Sequence, residues 1–192
     1  MVTERALTEF EHVLLGMLVI YEPSSGYDLK KLFTATPAAV YQPSAGALYP
    51  ALRRLQQRGL IRVEADASPG RRARRLYYAT ETGQQVHLEW VGQPVRPDTV
   101  VRDLSLHMMR FVMMEQKLAR TDVLVFLSSL ADALAAFVKN MQAFVAAEGP
   151  DMPGVHPLLA LRHGIEIQQA SLDWARTAIA ELTGPEPAKP GQ

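Results

Sequence analysis

Residues 44–55 read Ser44-Ala45-Gly46-Ala47-Leu48-Tyr49-Pro50-Ala51-Leu52-Arg53-Arg54-Leu55, and this stretch decides the fold. Wound as a helix, it gathers Leu48, Ala51, Leu52 and Leu55 on one face, which must pack against other elements. The opposite face presents Gly46, Pro50, Arg53 and Gln57, with Tyr49 and Arg54 at its flanks. An apolar back and a front of small and hydrogen-bonding residues is the division a helix needs to enter a DNA groove. Gly46 and Ala47 allow close backbone approach near the N-terminus, where the helix dipole favours phosphate. Arg53 suits a guanine edge or a phosphate; Gln57 suits adenine or plain solvation. An ordinary amphipathic helix turned to water carries the same pattern. Pro50 has no N–H to give, so either the helix starts late or its entry is bent. Gly59 supplies the stop.

Working outward, Leu7, Phe10, Leu14, Met17 and Tyr21 recur at the spacing of a one-faced helix, closed by Pro23. Ser24 or Ser25 can cap a short second helix, with Leu29, Leu32 and Phe33 inward and Lys30 and Lys31 outward. After Gly59, two β-patterned segments (60–66 and 73–80) flank the turn Ala67-Ser68-Pro69-Gly70, and a fourth helix covers 81–91. Three helices followed by a hairpin is the winged-helix order. The expected fold is mainly α with a small β-hairpin. An N-terminal winged helix-turn-helix (1–93) passes through a linker at 92–97 to a helical dimerisation domain (98–184), and 185–192 reads as a disordered tail.

The formal net charge is zero, but its distribution is uneven. Between 44 and 80 lie eight arginines against Glu64 and Asp66, a local excess of six positive charges. From 93 to the end, nine basic residues face eleven acidic ones. Arg71, Arg72, Arg74 and Arg75 crowd a hairpin tip, where they repel one another. Duplex DNA phosphates are the economical partner, and a solvated charge run is the plainer reading.

The second half is heptad-patterned. A helix over 99–118 carries Leu104, Met108, Phe111 and Leu118. Asp122 is then placed to cap a long helix whose seam includes Leu127, Leu130, Leu134 and Phe137. After a break at 149–157, a second seam runs through Leu158, Leu161, Ile165, Gln168, Leu172 and Ile179. Such 3,4 alternation suits helix pairing within one chain or between two, so these seams are the candidate dimerisation residues. Met108, Met109, Met113 and Met114 fit either core filling or an adaptable cavity for an apolar small-molecule effector, with Trp90, Phe111, Gln168 and Trp174 as its other candidates.

With no cysteine, disulfides, thiolate metal sites and cysteine nucleophiles are excluded. The five histidines are scattered; His163 and Glu166 share a helical turn but lack a third ligand. No phosphate loop, nucleophile motif or paired carboxylates stand out, so no enzyme, metal or cofactor is expected. The early apolar run at 13–20 is too short to span a bilayer, and a soluble cytoplasmic protein with no membrane partner is expected.

Residues 44–55 with Gly59-Leu60-Ile61 resemble the recognition-helix signature of the PadR family. Ser25-Gly26-Tyr27-Asp28-Leu29 resembles its second-helix motif, and 70–78 with Thr80-Glu81-Thr82-Gly83 its wing and exit. The long helical second half resembles the larger subgroup of that family. The resemblance implies a homodimer held by its C-terminal helices, binding an inverted-repeat operator and usually repressing. It also implies that Ser44, Tyr49 and Tyr27 touch the DNA backbone, with the wing arginines alongside. Ala45 and Ala47 stand where the family often has Pro and Thr, so sequence preference does not carry over. The expected function is a sequence-specific regulator released by a small molecule. The alternative is a ligand-binding or protein-interaction module whose winged helix meets no DNA.

Overall fold

Thr8 opens the first helix of the computed structural model, which describes residues 5–35, 45–66, 74–115 and 117–184. In helix α1 (Glu9–Tyr21) the Thr8 hydroxyl accepts from the Glu11 N–H at 3.2 Å, and the Glu11 carboxylate accepts from the Thr8 N–H at 2.8 Å. This reciprocal box satisfies two backbone donors that a helix start leaves open. The expected one-faced pattern is too narrow. Val13, Leu14, Leu15, Met17, Leu18 and Val19 are all buried, while Tyr21 is exposed. A helix that is apolar nearly all round belongs inside a core, and α1 is ringed by the elements that follow it.

The chain next forms a two-residue strand β1 (Ser24–Ser25), α2 (Gly26–Ala35), α3 (Ala45–Gln57), β2 (Ile61–Asp66), β3 (Arg74–Ala79) and α4 (Glu81–Val91). The sheet order is β1-β3-β2, all antiparallel, with Ser25 opposite Leu76 on one side of β3 and Val63 opposite Tyr77 on the other. The expected hairpin is therefore the larger part of a three-stranded sheet. Two serines carry no apolar alternation that could announce a strand.

Leu48, Ala51, Leu52 and Leu55 of α3 are buried, as its amphipathic pattern requires. The helix starts at Ala45 and runs through Pro50, so it does not start late. The proline withholds the N–H that the Gly46 carbonyl would otherwise accept. At the far end Gly59 (φ 69°) donates to the Gln56 carbonyl at 2.9 Å and Leu60 to Leu55 at 3.0 Å, a left-handed stop that suits glycine. Thr80 then ties the sheet to α4: its hydroxyl donates to the Gly59 carbonyl at 2.7 Å and accepts from Gly83 N–H at 3.0 Å.

The chain forms two compact units. The first comprises residues up to Val91 together with Met108–Lys117; the second comprises Gly92–His107 and everything from Leu118 on. Neither unit is one contiguous segment. In the first, Met109, Met113 and Met114 are buried, so these three methionines fill core space. A Cβ on Gly16 would sit 2.7 Å from the Met113 sulfur and 2.6 Å from His87 Cε1, so α1 needs glycine at that approach.

Helix α5 (Leu104–Met113) is shorter than the expected 99–118, because residues 97–103 form turns. In the second unit α6 (Arg120–Glu148) and α7 (Val155–Thr183) pack as an antiparallel pair around a short 3-10 turn at Gly149–Asp151. The Arg120 guanidinium donates to the Leu182 carbonyl and, at 2.6 Å, to that of Gly184, joining the start of α6 to the end of α7. Asp122 is not the cap of α6: Ala119 occupies that position, and Asp122 lies in the first turn, where its charge suits the dipole. The expected linker is pinned, since Val95 is buried and its N–H donates to Ser129 Oγ at 2.9 Å. Among the described residues α6 alone is long and apolar enough to cross a membrane. Phe126, Leu127, Leu130, Leu134 and Val138 are buried on its inner side, while Val125 and Phe144 are exposed.

Candidate nucleic-acid interface

Pairing of Ser25 with Leu76 sets the start of α2 beside the start of β3. Ser25 Oγ donates to Asp28 Oδ2 at 2.6 Å, the Ser25 N–H donates to the same oxygen at 2.9 Å, and Asp28 N–H returns a bond to Ser25 Oγ at 3.2 Å. The Ser25 side chain and backbone hold the Asp28 carboxyl below its ordinary range. This fixed turn presents Tyr27 outward, 75% exposed. Gly26 lies so close to α3 that a Cβ there would be 2.9 Å from Tyr49 Cε1. Tyr49 thus leans on the α2 backbone and remains 50% exposed.

The result is a groove of about 300 Å³ lined by Ser25, Gly26, Tyr27, Tyr49, Arg74, Arg75 and Tyr77. Two exposed phenols and two guanidiniums around one hollow make an array of hydrogen-bond donors suited to a phosphate backbone. Burial pushes the Tyr77 hydroxyl up, against the opposing effect of Arg75, so it stays protonated and can donate. Tyr77 was not among the expected site residues. Its signal is the period-2 pattern of β3, which alternates it with Tyr78 across the sheet.

Gly46, Pro50, Arg53 and Gln57 form an exposed row on α3, as their spacing predicts. Arg54 does not simply flank that row. Its guanidinium pairs with the buried Glu11 carboxylate, which burial would raise but the Thr8 N–H and Arg54 bring below its ordinary pKa. Arg62 pairs with Glu64 and lies 4.0 Å over the Tyr78 ring. Arg74 and Arg75 are exposed at the start of β3; Ser44, Arg71 and Arg72 lie outside the described residues. At the other end of α3 a second hollow of about 170 Å³ is lined by Arg5, Ala6, Glu11, Arg54, Gln57 and Arg58.

The expected effector residues are not one cluster within one unit. Trp90 is buried and stacks on His12 with ring centroids 4.8 Å apart. Met108 and Phe111 are half-buried in that same unit, whereas Gln168 is buried and Trp174 exposed in the other. Arg110 is buried beside Trp90 and donates to the Val91 carbonyl at 3.0 Å. The expected dimer seam needs a correction too. Leu127, Leu130, Leu134 and Leu172 are buried within the chain, and Phe137, Leu158, Leu161, Ile165 and Ile179 are half-buried. The four buried leucines are already covered by the chain itself and cannot also form the surface offered to a second chain.

A winged helix-turn-helix with an exposed recognition helix defines a class of DNA-binding transcription regulators. Residues 14–89 match the transcriptional regulator PadR-like family, and residues 102–183 match the domain described as virulence activator alpha C-term. The chain belongs to the PadR-like family, in the form that carries a helical C-terminal extension; it is a regulator and not an enzyme. The probable transcriptional regulator Rv1176c of Mycobacterium tuberculosis is 20% identical over 80% of this chain and 87% of its own. Similar solved structures include Bacillus subtilis PadR in complex with operator DNA (18% identity, TM-score 0.42, 93% of this chain and 99% of that one). Another is the PadR-like regulator BC1756 of Bacillus cereus (19%, TM-score 0.40, 94% and 99%).

Proposed function

We propose that this chain is a repressor that binds an inverted-repeat operator in duplex DNA as a homodimer and is released by a small apolar effector. The observation that carries the DNA contact is the groove beside α3, where strand pairing gathers Tyr27, Tyr49, Arg74 and Arg75 around one hollow. In this reading Gly46 admits the groove wall, Arg53 and Gln57 face the base edges, and Ser44 with the tyrosines holds the backbone. Arg71, Arg72, Arg74 and Arg75 extend the phosphate contacts along the wing. Residues 1–93 serve the DNA and 98–184 the pairing of two chains. The outward apolar residues Val125, Phe144, Leu159, Ile167 and Trp174 of α6 and α7 support that pairing. An effector acts by changing the spacing of the two recognition helices, so that half-sites one helical turn apart are no longer met together.

Fluorescence anisotropy on the DNA upstream of its own gene tests the reading. Binding is expected to weaken steeply with salt, and Arg74→Ala with Arg75→Ala to flatten that dependence. Binding indifferent to salt, or no preference for that DNA over random duplex, would refute specific operator recognition. A sedimentation measurement that finds only monomer on the operator refutes the homodimer.

A further inference from the structure

We infer that Tyr77 is a positioning residue: from the floor of the tyrosine groove its hydroxyl holds the Arg75 guanidinium ready for a phosphate of duplex DNA. The inference rests on the DNA-binding reading above and adds to it a residue that does not itself touch DNA.

Arg75 and Tyr77 stand two residues apart on β3, so both project from one face of the strand. Both line the groove with Tyr27 and Tyr49, but their exposures assign different parts. Tyr27 and Tyr49 are 75% and 50% exposed and can reach a phosphate oxygen, whereas Tyr77 is 6% exposed and is covered. Pairing fixes Tyr77 from both sides, with Ser24 of β1 opposite it in one ladder and Val63 of β2 in the other. Its hydroxyl oxygen accepts a hydrogen bond from the Arg75 guanidinium, and the Tyr49 hydroxyl acts on it through space. Across the β2–β3 pairing, Ala65 stands opposite Arg75 and Val63 opposite Tyr77. Neither has a polar side-chain atom, so among these four residues only the phenol can hold the guanidinium.

The gain from such a hold is in ordering. Arg75 is exposed at the start of β3, and fixing a long arginine side chain costs rotamer entropy whenever it must meet a ligand. A buried tyrosine has only two side-chain torsions, and packing has already set them. Tethered to that ring, Arg75 loses its freedom on folding and has less to lose on binding, which tightens the complex. A guanidinium has five N–H donors, so the bond to Tyr77 leaves others free to fork onto phosphate oxygens.

The test is a double-mutant cycle in the full chain, with the upstream DNA and a random duplex as probes. Tyr77→Phe keeps the buried ring and removes only the hydroxyl. It is expected to weaken both duplexes equally, by about threefold to tenfold, the ordering cost of one long side chain. The slope of log affinity on log salt should be retained, since no charge is lost. Arg75→Ala should lower that slope by about 0.9, one phosphate contact. In the Arg75→Ala background, Tyr77→Phe should weaken binding no further. Tyr78→Phe removes a hydroxyl from the opposite face of the same strand and should leave affinity and slope unchanged. Melting temperatures establish that each variant is folded. A second measurement needs no variant: in the free chain the Arg75 Nε–H should show a higher NMR order parameter than that of Arg53. Unchanged affinity in Tyr77→Phe, equal weakening with and without Arg75, or equal weakening by Tyr78→Phe each overturns the role. So does an Arg75 side chain as mobile as Arg53, and that result decides alone if Tyr77→Phe does not fold. No duplex binding by the unmodified chain overturns the regulator reading and this role with it. A steep salt slope with an additive cycle overturns this role alone.

Discussion

Gly26 and Gly83 both sit where a methyl group would collide, yet they predict opposite outcomes. The collision at Gly26 is with the Tyr49 ring, 2.9 Å from the added carbon. A ring at the end of a flexible side chain can swing away, so Gly26→Ala should change stability by no more than about 1 kcal/mol. The swing moves Tyr49 out of the groove, and DNA affinity should fall about tenfold, or about 1.4 kcal/mol. Anisotropy together with a melting curve checks this; a lost melting temperature with retained affinity would contradict the placement of Tyr49. At Gly83 the added carbon meets the Leu60 carbonyl oxygen at 2.0 Å, and backbone cannot swing. Gly83→Ala should cost about 3 kcal/mol, read from the urea midpoint. Outward residues such as Arg53 and Gln57 were legible in the sequence because helical spacing alone sets their face, whereas Tyr27 entered only through the resemblance to the PadR family. The role of Arg54 was not, since its partner Glu11 lies 43 residues away and no local pattern joins them.

At the scale of elements, legibility followed the length and regularity of the pattern. Helix α4 spans the residues its sequence signals, Thr80 at its start and Gly92 after its end, and the inner face of α3 is the one its leucines trace. Strand β1 escaped because two serines gain their pairing only from β3, a tertiary cause. The two heptad seams were seen, but periodicity does not say whose helix fills the opposite groove. Packing of α6 on α7 answers that within the chain. Gln168 is the polar break in this seam, 7% exposed, with its side-chain carbonyl lacking a hydrogen-bond partner. Leaving such an acceptor dry costs about 1–3 kcal/mol, whereas an apolar side chain of similar length incurs no such penalty. Gln168→Met should therefore raise the unfolding free energy of the chain by about 1 kcal/mol, measured by urea denaturation. A decrease would mean that the amide is satisfied in solution by a group that joins the helix pair.

For the whole molecule, two buried histidines make stability depend on pH in a defined direction. Burial pushes both His12 and His87 down to about 4 from an ordinary 6.5. In the unfolded chain both take up protons as pH falls through 6.5, while in the folded chain they stay neutral until about 4. The unfolded state therefore binds more protons across this window, and their contribution to stability, complete above 6.5, is lost as pH falls through it. For the fully enclosed His87 the loss is up to about 3 kcal/mol, of which about 2 is gone by pH 5. Both residues belong to the unit that carries the recognition helix. In the other unit the shifted acids Asp98 and Asp103, each hydrogen-bonded by a neighbouring arginine, are held below the ordinary carboxylate range, so they lose their charge only at lower pH. Acidification should thus open the DNA-binding unit before the helix pair. The two tryptophans report the units separately, since Trp90 stacks on His12 and Trp174 lies on α7. In a Trp174→Phe variant the urea midpoint followed by Trp90 emission should drop between pH 7 and pH 5. In a Trp90→Phe variant the midpoint followed by Trp174 should move less. Adding His87→Leu to the first variant removes the proton uptake at that site, and about half of the drop should vanish with it, the rest belonging to His12. A Trp90 midpoint that is flat from pH 7 to 5 would show that His87 is not held neutral by burial, and the order of acid opening would then have to be sought in the carboxylates.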